Sequence, residues 1–253
     1  INNLDSVYDV LTSVEKIGKI TDKPIEHSGS LAIKEGETGY EIEMVDVSFG
    51  YDENKKIINN LSLKIEPGEK VCIMGAEGSG KSTLLKLLTG SYTEFGGNIL
   101  VNKIPIKNYD IQSLRSHTGI FLSQQDIFQG SLEENITMGN KDIDRTEVID
   151  LFEKVGLSNF LHSLKDGFDT QLDPTGHRLS KNVIHKLLLV RALVNEPRLL
   201  LMEDPLAGLE ETYSQQIQKL LLDKKNPATV IISTNDENFA RLCDKTIRIN
   251  PTV

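Results

Sequence analysis

The sequence predicts an α/β fold built on a largely parallel sheet. Three observations predict it. Short apolar runs of buried-strand type, Val71 to Met74, Leu199 to Met202 and Thr229 to Ser233, are separated by stretches with helical periodicity. The first run leads into Gly75-Ala76-Glu77-Gly78-Ser79-Gly80-Lys81-Ser82 and then a Leu-rich helix, the strand–turn–helix context of the pattern G-x-x-x-x-G-K-[ST]. The composition, 38% hydrophobic and 26% charged over 253 residues, is an ordinary globular mix. It excludes a collagen, a disordered tail and a coiled coil. The length suits one large α/β domain or two small ones.

Each element follows from local pattern. Residues 1–20 read as a helix, with Leu4, Val7, Val10, Leu11, Val14 and Ile17 at three- and four-residue spacing. Pro24 and Gly29 break that pattern, and residues 21–39 read as a linker. From Tyr40 the texture changes. Ile42, Met44, Val47 and Phe49 mark a strand whose strict alternation is lost at Val45. Leu61, Leu63 and Ile65 mark a second, and Pro67-Gly68 a turn. The helix after the Gly-rich turn spans Lys81 to Leu88, with Leu84, Leu85, Leu87 and Leu88 as its apolar face. Short strands are expected at Ile99 to Val101 and Ile120 to Leu122. The region from Ser131 to Ser163 reads mostly helical, with Val148, Leu151, Phe152 and Val155 on one face. Further helices are expected over 181–194 and from Glu211 to Lys224.

Charge and composition narrow the function. With 28 Lys+Arg against 37 Asp+Glu, the net charge is −9, which argues against a general nucleic-acid binder. Cys72 and Cys243 cannot make a disulfide framework and read as reduced, buried thiols. No apolar run approaches the roughly 18 residues of a membrane span, and no signal peptide is visible. The first residue is Ile1 rather than Met, so a fragment of a longer protein is expected. His27, His117, His162, His177 and His185 show no metal spacing.

The Gly-rich turn carries the firmest chemistry. Its glycines let the backbone curl so that successive N–H groups point inward at phosphate oxygens. The helix N-terminus adds its positive dipole end. Lys81 is placed to neutralise β- and γ-phosphates, and Ser82 to offer a hydroxyl to Mg2+. ATP or GTP binding follows.

The remaining motifs resemble one family. Val47-Ser48-Phe49-Gly50-Tyr51 resembles the A-loop of ABC transporter nucleotide-binding domains, and Gln124 the Q-loop glutamine, with Gln125 a close rival. Leu199-Leu200-Leu201-Met202-Glu203-Asp204-Pro205 resembles Walker B, but its usual Asp-Glu order is reversed. Ala207-Gly208-Leu209-Glu210 resembles the D-loop, which usually ends in Asp. Residues 229–235 resemble the strand leading to the switch histidine, whose place is taken by Asn235. Leu179-Ser180 keeps the first two letters of the LSGGQ signature; Lys181, Asn182 and Val183 replace the rest, and Arg191-Ala192-Leu193 matches the family's helix ending. Gly167-Phe168-Asp169-Thr170 resembles the approach to the exporter-specific X-loop, while Asp173-Pro174-Thr175-Gly176 departs from its acidic pattern. Ser13-Val14-Glu15-Lys16-Ile17 and Asp22-Lys23-Pro24-Ile25-Glu26 look like an exporter's last helical extension and linker.

The resemblance, exporter-type in particular, runs from about Tyr40 to the C-terminus. It implies the ABC ATPase fold: a P-loop NTPase with a mostly parallel sheet, an antiparallel β subdomain and an α-helical subdomain at about 125–195. Residues 1–39 would be the extension and linker from a transmembrane domain, and 40–253 the nucleotide-binding domain. It implies ATP and Mg2+ as cofactors. The nucleotide set is Tyr51, Gly75, Ala76, Glu77, Gly78, Ser79, Gly80, Lys81, Ser82, Thr83 and, acting across a dimer, Ser180. The metal set is Ser82, Gln124 and Glu203; the catalytic set is Asp204 as general base, Gln124 and Asn235. Expected partners are a second nucleotide-binding domain, identical or different, and a transmembrane domain of the same or a partner chain, at the cytoplasmic face of a membrane, with no nucleic acid. Asp204 is one methylene shorter than Glu and Asn235 lacks an imidazole's charge, so binding is expected to survive and hydrolysis to slow. Two other readings stand beside this one: an ATP-gated regulatory module without hydrolysis, and a soluble ABC ATPase acting on DNA or ribosomes.

Overall fold

The structure, a computed structural model, describes residues 2–21, 26, 28–34, 36, 38–52, 55–173 and 179–250. The linker residues 22–25, His27, and residues 174–178, which include Pro174, Thr175, Gly176 and His177, lie outside them.

Helix α1 (Asn2–Thr21) opens the chain. Its apolar residues Val7, Val10, Leu11, Val14 and Ile17 are all exposed. Strands β1 (Ile42–Phe49) and β2 (Ile58–Ile65) pair antiparallel. The lost alternation at Val45 is a real bulge: the register of β1 slips between Met44 and Val47 against β2, and Asp46 takes a positive φ. Strand β3 (Lys70–Met74) is buried along its whole length and delivers the chain into the Gly-rich turn and helix α2 (Lys81–Leu88). Next come β4 (Gly96–Val101), the short β5 (Ile104–Pro105), helix α3 (Ile111–Ser116) and β6 (Thr118–Phe121).

The middle of the chain is mostly helical, as expected. It holds β7 (Gly130–Ser131), α4 (Leu132–Thr137), α5 (Arg145–Val155), α6 (Ser158–Ser163), β8 (Gln171–Leu172) and α7 (Lys181–Leu193). Ser131 makes a full capping box with Glu134 at the start of α4. Gly156 ends α5 in a left-handed conformation, as C-terminal glycines do. The chain closes with β9 (Leu199–Glu203), α8 (Glu211–Leu222), β10 (Thr229–Ser233), α9 (Glu237–Ala240) and β11 (Lys245–Arg248).

Two main sheets organise these elements. The larger has the order β11-β3-β10-β9-β6, and every pair in it is parallel. The smaller, β2-β1-β4-β5, is antiparallel. Period-two alternation splits the parallel strands between two cores. Val71, Ile73, Leu199, Leu201 and Ile231 join α2 and the antiparallel sheet on one side. Leu200, Met202, Val230 and Ile232 join α4, α5, α7 and α8 on the other. Cys72 is buried; Cys243 is only half-buried, because it sits in the turn between α9 and β11 rather than in a strand. Among the described residues, no helix is long and apolar enough to cross a membrane.

This topology sets the site. The C-terminal ends of β3, β9 and β10 are neighbours along one edge of the sheet, where parallel α/β folds bind their ligands.

Candidate functional site

The Gly-rich turn is shaped by its glycines and left open. Gly78 and Gly80 have φ of 77° and 93°, a region that disfavours side chains. A Cβ on Gly80 would lie 3.1 Å from Ile57 Cγ2 and 3.2 Å from its carbonyl oxygen. Gly80 is also the N-cap of α2, and no side chain caps that helix. The first-turn N–H groups of Lys81, Ser82 and Thr83 therefore lack an intrahelical acceptor and are available to an anion. Ser79 Oγ is fully buried in the turn and has no partner among the described residues. Lys81 Nζ bends back to donate to the carbonyls of Gly75 (2.6 Å) and Ala76 (3.1 Å), so an ammonium sits over the turn.

The strand ends bring oxygen donors to the same place. Glu203 closes β9, and its side chain leaves the face shared by Leu199 and Leu201, toward α2. There it accepts from Ser82 Oγ on one oxygen and from Ser123 N–H, at 3.1 Å, on the other. Burial pushes the Glu203 carboxyl up. The hydrogen bonds from Ser82 and Ser123 and the charge of Lys86 outweigh it and hold the group below the ordinary carboxylate value. A hydroxyl, an ionised carboxylate and the nearby Gln124 amide form a set of hard oxygens, the chemistry that Mg2+ takes. The residues present fit the cation and the polyphosphate.

Gln124 and Gln125 part company. Gln124 Oε1 accepts from Lys86 Nζ at 2.6 Å, beside Ser82 on α2. Gln125 Oε1 is spent on the backbone N–H of Leu122 at 3.0 Å, which tightens the turn after β6. Tyr51 lies over the start of α2: its hydroxyl is 3.2 Å from Thr83 Oγ1, and its ring packs edge-on against Phe49 and Tyr92 with centroids 5.2 and 5.7 Å apart. Tyr51 remains half exposed.

The groups expected to cleave are placed differently. Asn235 Oδ1 accepts from Gly75 N–H at 3.3 Å, so the residue after β10 touches the first residue of the phosphate turn. Asp204 is exposed, in a left-handed conformation (φ 44°), and its N–H donates to Ser233 O at 2.8 Å. Its carboxylate makes no hydrogen bond among the described residues. Left-handed backbone favours Asp and Asn over Glu, which is a local reason for the reversed order at this strand end. Asp204 shares a cleft of about 510 Å³ with Glu203, Gln125 and Lys181.

Ser180 is not brought to this cluster. It is the exposed N-cap of α7, its Oγ accepting from Val183 N–H at 3.2 Å. The residues that follow tie α7 to the turn after β9. Asn182 Nδ2 donates to Gly208 O at 2.7 Å, His185 Nε2 lies 3.0 Å from Pro205 O, and the buried Lys186 ammonium pairs with Glu210 at 2.8 Å over the ring of Tyr213. Lys181 stays exposed.

Sequence reasoning missed Lys86, Ser123, His185 and Lys186. Lys86 was legible as the residue one turn after Ser82 on the same helix face, and Asn182 with Lys186 by the same i, i+4 rule. The contact of the Ser123 backbone N–H with Glu203 carries no sequence signal.

Comparison with known proteins gives the family and the fold. Residues 58–207, more than half of the chain, match the family model described as ABC transporter. The chain is 30% identical to the ATP-dependent lipid A-core flippase of Saccharophagus degradans, over 76% of this chain and 33% of that protein. It is 32% identical to the putative export ATP-binding/permease protein RT0691 of Rickettsia typhi, over 91% of this chain and 40% of that protein. The chain thus spans only a third to two-fifths of the length of these relatives. In fold it matches the structure of a bacterial Atm1-family ABC exporter with ATP bound, at a TM-score of 0.80 and 24% identity, covering 98% of this chain and 44% of that one. The chain belongs to the ABC transporter family, as a nucleotide-binding domain of its ATPase type.

Proposed function

We propose that the chain is the ATP-binding domain of an ABC exporter, which grips Mg-ATP firmly and hydrolyses it slowly. The observation that carries the reading is the convergence of the uncapped start of α2 with Glu203 through Ser82. Turn N–H groups and Lys81 hold the phosphates, and Tyr51 offers its half-exposed ring to the base. Ser82, Glu203 and Gln124 are the residues that would hold Mg2+. The cation, when bound, neutralises charge on the β- and γ-phosphates.

Asp204 is the carboxylate available to orient and deprotonate the attacking water. Its reach is shorter than that of Glu by about 1–1.5 Å, and a misplacement of about 1 Å costs roughly 100-fold. Asn235 donates a hydrogen bond to the γ-phosphate through its amide but brings no positive charge. Both departures lower turnover and leave the glycines, Lys81 and Ser82 of the phosphate turn as they are.

The longer relatives, an export ATP-binding/permease protein among them, support a transmembrane partner and a place at the cytoplasmic face of a membrane. The second nucleotide-binding domain supplies the other half of each site, and Ser180 at the start of α7 serves the partner's nucleotide. Calorimetry with Mg-ATP tests the binding half of this reading: saturable binding near one site per chain is expected, and no binding at millimolar ATP overturns it. Measuring phosphate release tests the other half, with a rate far below the usual enzyme median of about 10 s⁻¹ expected.

A further inference from the structure

Lys86 follows Ser82 by one helical turn, so the two side chains leave the same face of α2, toward the end of β9. Ser82 donates to Glu203, and Lys86 Nζ donates to Gln124 Oε1 at 2.6 Å. The lysine is half-buried, and its charge acts on the Glu203 carboxylate. An ammonium therefore already bonds the Gln124 oxygen and bears on the Glu203 carboxylate, two of the three groups, with Ser82, that suit a hard divalent ion. A glutamine oxygen that accepts from an ammonium offers a weaker field to a second cation, and two cations within one ligand shell repel. The same ammonium is attractive to the polyphosphate.

We propose that Lys86 is a positioning residue that loosens the dependence of ATP binding on metal: it holds the Gln124 amide oxygen and lends positive charge to the phosphate end, so Mg2+ enters only by displacing the Lys86–Gln124 bond. This inference rests on the reading of the site given above. It makes nucleotide gripping and metal loading separable steps, with Lys86 as the group that trades places.

The test is the ATP affinity of the full chain, measured by calorimetry in EDTA and again in saturating Mg2+. The ratio of the two Kd values is the coupling between nucleotide and metal. Lys86→Met raises this ratio by about tenfold, because metal-free binding loses an attraction and metal binding loses a repulsion. Lys86→Gln, a second neutral variant, does the same. Lys86→Arg keeps the charge and the donor to Gln124, and its ratio stays within about twofold of the parent's. A merely structural role shifts the unfolding temperature and both affinities together and leaves the ratio where it was. A ratio unchanged or lowered in the neutral variants overturns the inference. Gln124→Ala separates the two levels of argument. If it lowers the ratio while the Lys86 variants do not move it, the inference alone fails. If the parent chain shows no ATP binding in either condition, the reading of the site fails with it.

Discussion

Two neighbouring places on one sheet edge behave differently. At the end of β3, the phosphate turn keeps every residue its chemistry needs: curled glycines, an uncapped helix start, Lys81 and Ser82. One and two strands away, at the ends of β10 and β9, the residues to which we assign cleavage are Asn235 and Asp204, in place of the family's usual histidine and glutamate. The strands beneath are buried at both places, up to Glu203 at the end of β9. The difference teaches that the fold is indifferent to what stands at its polar strand ends. Burial and register fix β3, β10 and β9, while gripping and cleaving are set by single residues that the core does not feel.

The largest expected effect breaks the intact side. Lys81→Ala removes the ammonium over the turn and lowers ATP affinity by at least about 100-fold in calorimetry, consistent with loss of a charge-assisted pair of hydrogen bonds. The fold survives, because Lys81 bonds only carbonyls of the turn itself. Unchanged affinity would contradict the role given to that turn.

The next repairs the altered side. Asp204→Glu combined with Asn235→His raises phosphate release by about 10–100-fold, by restoring the carboxylate's reach and an imidazole beside Gly75. The left-handed backbone at residue 204 makes the Glu strained, at a cost of about 1 kcal/mol. Faster turnover should therefore come with a slightly lower Tm. No gain in rate, with folding intact, would sink the account of the slow step.

Smaller effects sharpen the comparison. Tyr51→Ala weakens ATP binding by about tenfold, the worth of a stacked ring, whereas Tyr51→Phe keeps most of it because the ring and not the hydroxyl meets the base. Equal losses in both variants would point instead to the Tyr51–Thr83 contact. Glu210→Gln gives the buried Lys186 ammonium a neutral amide oxygen in place of a carboxylate, above the ring of Tyr213. It should lower the Tm by a few degrees and leave ATP affinity unchanged, since Glu210 is exposed and lies on the α7 side.

The sequence made some of this legible and hid the rest for physical reasons. Unbroken apolar runs located β3, β9 and β10, shared apolar faces located α2 and α5, and the alternation lost at Val45 falls where β1 bulges. The glycines of the phosphate turn were readable because a backbone requirement writes itself into residue identity. Strands β5, β7 and β8 span two residues each, and α9 only four, too short for periodicity to register. Strand β11 alternates half-buried with exposed positions, and its pairing with β3 closes over a long stretch of chain, so no local signal announces it. Of the site, the residue types at Ser82, Gln124, Glu203 and Asn235 were readable. The Ser123 N–H on Glu203, the Lys86 hold on Gln124 and the left-handed turn at Asp204 were not, because each depends on how separate strand ends meet.

One quenched time course tests the central claim most directly. Radiolabelled Mg-ATP is mixed with the domain in single-turnover excess, at concentrations where it pairs, and retained and cleaved nucleotide are counted in each sample. The account predicts that ATP is retained and that cleavage proceeds more slowly than about 0.1 s⁻¹, a median enzyme rate reduced by the roughly 100-fold cost of a retracted carboxylate. Cleavage near 10 s⁻¹, or no retained ATP at all, would contradict it.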